Sequence, residues 1–157
     1  MSKLKVADFY YGAVLSMLLS HGIKPALVEN EEDRQVYDFT TNNTSFRLFV
    51  KYRAKKNDTK KEGYNSWVFT INEDRSELLS YIDKGYNLIV ALVCGEENLS
   101  DSQLAVLDKE QITEILNTQK TTINVTIKKG ERAFRIPKDR NRDEGIKVKC
   151  NRFDELF

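Results

Sequence analysis

The run YNLIVALVC, Tyr86 to Cys94, limits what this chain can fold into more than any other stretch. From Leu88 onward it is apolar at every position. An extended segment of this kind needs cover on both faces, as a central strand has. It falls far short of the roughly 20 apolar residues that cross a bilayer, and no other window approaches that length. Its flanks supply packing partners. Upstream, Asn72 suits a helix cap, Glu73 and Asp74 suit the positive end of the dipole, and Gly85 closes the helix. Leu78, Leu79 and Ile82 form the inward stripe of that helix. Downstream, QLAVL reads as a further strand, and Asp108 caps a helix, KEQITEIL.

The first half of the chain has its own punctuation. Ser2 caps an opening helix in which Val6, Phe9, Tyr10, Ala13, Val14, Met17 and Leu18 recur at helical spacing, and Gly22 stops it. Asp8 and the aromatic run FYYG break the apolar core that a signal peptide requires, so this segment reads as a helix of the mature fold. IKPALV leads into ENEED, a solvated turn. RQVYDF, the polar turn TTNNT and SFRLFVKYR follow; in the last, Phe46, Leu48 and Val50 alternate with Arg47, Phe49 and Lys51. SWVFTI reads as a buried strand, and the strands flanking the loop AKKNDTKKEGYN are expected to pair as a hairpin. In the last third, TTINVTIKK and RAFRIP flank Gly130 as a second hairpin, DRNRDEG is a charged loop and IKVKC a final strand. The expected fold is a single α+β (α/β) domain with a central mixed β-sheet and flanking helices. Its order is αβββαβ, then a strand, a helix and a C-terminal β-hairpin, with a core over about residues 3–95 and an extension over about 100–157.

A net charge of +1 conceals segregated charge. Lys51–Lys61 carries six basic residues against one aspartate, and Lys128–Lys149 carries nine against four acidic ones, while ENEED supplies much of the balance. Phosphate contact requires only a local basic face of this sort. Cys94 and Cys150 are too few and too distant for a disulfide framework, and with a single histidine a zinc site would need carboxylate ligands. Reduced thiols in a cytoplasmic protein are expected, with Cys94 buried and Cys150 among cations that lower its pKa. His21, at the end of the first helix, complements its carbonyl dipoles. No Gly-rich phosphate loop, GxSxG elbow or HExxH is present, which sets aside an ATPase or a dehydrogenase.

The order helix, three strands, helix, strand over Lys3–Cys94 resembles the core of the PD-(D/E)XK (restriction-endonuclease-like) fold. In that family an acid on one strand and an acid-x-lysine on the next meet at the sheet edge around a divalent cation. The resemblance implies Asp38 as the first acid and metal ligand, and Lys51 as the catalytic lysine that orients water or stabilises the transition state. Phe49 stands where the second acid belongs, and a phenyl ring offers magnesium no oxygen; Glu29, Glu31, Glu32 and Asp33 are the substitutes nearby. The implied function is nucleic-acid binding, to DNA or RNA, with weak or no metal-dependent cleavage. No cofactor is expected except Mg or Mn in an active endonuclease. Arg53, Lys55, Lys56, Lys60 and Lys61 would contact the backbone, with Tyr52, Tyr64 and Trp67 as stacking candidates unless Trp67 is core. The alternative is a non-enzymatic bacterial or mobile-element accessory protein that acts through a protein partner. Neither reading involves a membrane.

Overall fold

The structure, a computed structural model, describes residues 3–57, 63–137 and 145–157. The described elements run α1 (Val6–Ser20), β1 (Ala26–Asn30), β2 (Gln35–Thr41), β3 (Thr44–Arg53), β4 (Tyr64–Thr70), α2 (Arg75–Asp83), β5 (Leu88–Cys94), β6 (Gln103–Leu107), α3 (Lys109–Leu116), β7 (Thr122–Lys128), β8 (Ala133–Ile136), β9 (Ile146–Lys149) and α4 (Arg152–Leu156). They build a single α+β domain around a mixed sheet of order β1-β2-β3-β5-β6, beside a second sheet of order β4-β7-β8-β9.

The apolar run becomes β5, parallel to β3 and antiparallel to β6, and all seven of its residues are buried. Leu88, Val90, Leu92 and Cys94 face one core, which they share with the second sheet, α2 and α3. Ile89, Ala91 and Val93 face the other, under α1 and α4. Each buried leucine or valine contributes about 1.5–3 kcal/mol, so one strand anchors both layers.

Four local expectations are corrected. SWVFTI does not form a hairpin with the strand before it: β4 pairs with β7 in the second sheet, and a lone bridge, Asn57 to Ser66, joins it to the end of β3. The third strand of the opening meander is instead β1, formed by ALVEN, where the sequence reading placed only the approach to a turn. Within α1, Val6 and Phe9 point outward while Ala7, Tyr10, Tyr11, Val14 and Leu18 are buried; the helix is capped at Lys5, and Ser2 lies outside the described residues. In α2 the residue before the first turn is Asp74 rather than Asn72, and Tyr81 replaces Leu79 on the inner face.

The β2–β3 hairpin turns through Asn42 and Asn43, whose φ angles of 51° and 62° suit the two-residue turn that matches strand twist. That turn fixes the register: Thr41 faces Thr44, Asp38 faces Arg47 and Val36 faces Phe49. Gly95 ends β5 where the backbone of β3 passes very close. A Cβ there would sit 2.6 Å from the Arg53 carbonyl oxygen and 2.7 Å from the Tyr10 hydroxyl. The Gly95 carbonyl accepts the Trp67 indole N–H at 2.9 Å, which ties the two sheets together.

Candidate functional site

Asp38 and Lys51 lie on the same face of the main sheet but do not meet. Lys51 lies four residues beyond Arg47, the cross-strand partner of Asp38, a separation of about 13 Å along the strand. Neither sits on an edge strand, since β2 and β3 both have neighbours on each side.

Each already has a counter-ion. The Arg47 guanidinium donates Nε to Asp38 Oδ1 and a terminal nitrogen to Oδ2, both at 2.8 Å, in a bidentate fork. Its planar group also stacks over Tyr86 at 3.9 Å and Tyr81 at 4.7 Å. The hydrogen bond to Asp38, opposed by burial, holds Arg47 above its ordinary pKa. Lys51 is only 7% exposed, and Nζ donates to Asp74 Oδ2 at 2.6 Å. Asp74 is 1% exposed and accepts from Arg34 on its other oxygen at 3.0 Å.

These pairs belong to one polar seam between α2 and the sheet. Asp74, Glu77 and Tyr81 follow at helical spacing on the inner side of α2. Arg34 binds Asp74 and Glu77, and Glu29 at 3.2 Å. Tyr81 donates to Glu77 and carries the seam on to Arg47. Burial raises the pKa of Glu77, and its hydrogen bond with Glu29 adds to this against the opposing pull of Tyr81 and Arg34. Burial also works against the charge of Arg34, but Glu77, Glu29 and Asp74 outweigh it and keep the guanidinium above its ordinary value. The seam joins helix to sheet, and the carboxylate bonded to Lys51, that of Asp74, is shared with Arg34.

The donor set for a catalytic cation does not fit. Both oxygens of Asp38 serve Arg47, Phe49 is a fully buried core ring, and Glu29 is bound to Arg34. Among the described residues, no three Asp, Glu, His or Cys side chains are grouped to hold a metal. Glu31, Glu32 and Asp33, the remaining substitutes, line a cleft of about 690 Å³ at the far end of β3, opposite Lys51, Arg53 and Lys55.

The stacking candidates are also engaged. Trp67 is core; Tyr64 is buried; Tyr52 lies flat on Tyr10 at 5.1 Å and edge-on to Tyr11. The described cations face solvent by contrast. Arg53, Lys55 and Lys56 are exposed at the end of β3, with Lys56 in a 3.4 Å surface pair with Glu96. Lys60 and Lys61 lie outside the described residues.

The sequence reading missed how these cations continue. Tyr64 pairs with Lys128, and the Lys129 N–H donates to the Gly63 carbonyl at 2.6 Å. On the other side of β4, the Asn57 N–H donates to the Ser66 carbonyl at 2.6 Å. Lys55 and Lys56 thus border β4 on one side, and Lys128 and Lys129 border it on the other. Strand spacing puts the two borders about 10 Å apart across β4, and the register sets Lys56 and Lys128 three residues, about 10 Å, apart along it. Both basic segments were visible in the sequence, but their meeting depends on the β4–β7 ladder.

Elsewhere, His21 lies at the end of α1 with Nε2 3.1 Å from Asp154 Oδ1. Cys94 is buried, and burial pushes its thiol pKa well up; burial also raises that of Cys150, against the lowering expected from nearby cations. No helix among the described residues is long and apolar enough to cross a membrane. Compared with family models, with curated proteins and with solved structures, the chain matches nothing in any of the three.

Proposed function

We propose that this protein binds the backbone of a nucleic acid on a nuclease-like scaffold, with no metal-dependent cleavage at Asp38 and Lys51. The observation that carries the reading is the joining of two basic segments, remote in sequence, across β4: Arg53, Lys55 and Lys56 on one side, Lys128 and Lys129 on the other, all exposed. The αβββαβ order of the resemblance counts SWVFTI as its third strand; that strand lies in the second sheet, and ALVEN takes the third place in the main one. The Lys56–Glu96 pair is no obstacle, because exposed pairs are worth about 0–1 kcal/mol and yield to a phosphate.

Each neutralised phosphate releases counterion, so the reading has a quantitative test. With the five cations engaged, a single strand should bind with a log–log salt slope of roughly −3.5, an affinity loss of about 100-fold between 50 and 200 mM salt. Fluorescence anisotropy with labelled DNA and RNA measures this. Replacing Lys55, Lys56, Lys128 and Lys129 by alanine should flatten the slope by about 3. Absence of binding at low salt, or binding indifferent to salt, refutes the reading. Cleavage in magnesium or manganese that disappears in both Asp38→Ala and Lys51→Ala would overturn its second half.

A further inference from the structure

The outer side of α1 is unusual for a surface helix. Fifteen residues, Val6–Ser20, include one charge, Asp8, and that carboxylate is folded back onto the Lys5 N–H at 2.8 Å. Val6 is 55% exposed and Phe9 50%, with Leu19 also exposed, while Gly12, Ala13 and Ser16 between them are small and exposed. A helix apolar on all sides is normally covered on all sides. Alongside runs a groove of about 370 Å³ between α1, β6 and α4, lined by Phe9, Ala13, Met17, Leu99, Leu104 and Phe153.

We infer that this face binds a second copy of the same chain, with the two α1 helices packed antiparallel about a two-fold axis near Gly12 and Ala13. The charges select this occupant. Lys3 and Lys5 stand exposed at the N-terminal end of the stripe; at the C-terminal end stands Asp154, 67% exposed beside His21. Antiparallel packing brings each basic end to the acidic end of the other copy, and a two-fold axis makes that contact twice. The small residues at the crossing let the helices approach closely. Phe9 of each copy then reaches Ser16 and Met17 of the other and enters the groove beside them, where an aromatic–thioether contact is favourable. A helix of fifteen residues is about 22 Å long, so the shared area falls in the small, reversible class of interfaces.

Sedimentation equilibrium on the full chain, from about 10 μM to 1 mM, tests the inference in the range where small interfaces associate. The expected result is a mass that rises from 18.2 kDa toward twice that value with concentration. Phe9→Glu and, separately, Ala13→Glu should hold the protein at the monomer mass while circular dichroism and melting temperature stay near those of the parent. Lys5→Glu should weaken association about tenfold, and Asp154→Lys in the same chain should restore it. A monomer at every concentration overturns the inference and leaves the face to a different protein; so does a dimer indifferent to Phe9→Glu and Ala13→Glu.

Discussion

Replacing Asp74 by alanine distinguishes a structural Lys51 from a reacting one. Asp74 is almost fully buried and holds two cations, Lys51 at 2.6 Å and Arg34 at 3.0 Å. Its loss leaves the Lys51 ammonium inside the protein without a counter-ion, because Arg34 still has Glu29 and Glu77 but Lys51 has no second acid in contact among the described residues. Removing one partner of a buried pair costs about 3–5 kcal/mol. Lys51→Met should cost less, about 1–2 kcal/mol, because the Asp74 carboxylate keeps its bond to Arg34. The double variant removes both charges together and should cost about 2–3 kcal/mol, so the two changes couple by roughly 3 kcal/mol. Urea unfolding followed by circular dichroism measures all three, provided the slope with denaturant is unchanged. Additive costs, or an Asp74→Ala cost below about 1 kcal/mol, would refute the argument that Lys51 is held as a buried structural cation.

Gly95→Ala should cost about 1–3 kcal/mol in the same unfolding assay, because the new methyl collides with backbone oxygens of Arg53 and Ala54, which cannot swing away, as well as with the Tyr10 hydroxyl. Burial raises the pKa of Tyr11, Tyr81, Tyr37 and Tyr52, with hydrogen bonding to Glu77 adding to the effect at Tyr81. The folded state therefore holds those phenol protons more tightly than the unfolded chain does. The resulting stability is present below the ordinary tyrosine pKa of about 10 and is lost as pH rises above it. An ultraviolet titration should show these four ionising together with an alkaline unfolding transition, and smooth ionisation near pH 10 in a folded protein would contradict this. A thiol reagent at neutral pH should label half-buried Cys150 and spare Cys94 until denaturant is added.

What was legible in the sequence follows from how local its causes are. β5 was readable because an unbroken apolar run has one extended solution, buried on both faces. The Asp38–Arg47 pair was readable in principle: a two-residue Asn42–Asn43 turn sets Thr41 opposite Thr44, and counting outward reaches Asp38 opposite Arg47. The seam joining Lys51 to Asp74 was not, because a strand position and a helix start become neighbours only after α2 docks. The sheet that β4 joins was equally hidden, since alternation looks the same whichever neighbour a strand takes. Val6 and Phe9 were misassigned for a related reason. An α1 sequence apolar around its whole circumference carries no signal for which side is inward.

The separation of β4 from the strand before it bears on how the protein is made. Trp67 and Phe69 sit on a segment whose ladder partner, β7, begins only at Thr122. During synthesis those rings leave the ribosome well before the strand that shelters them, and long-range pairings of this kind form slowly. The five-stranded sheet can assemble as soon as β6 emerges, whereas its companion must wait for the final third of the polypeptide. A fragment truncated near residue 95 would therefore expose aromatic surface and clump rather than yield a working half.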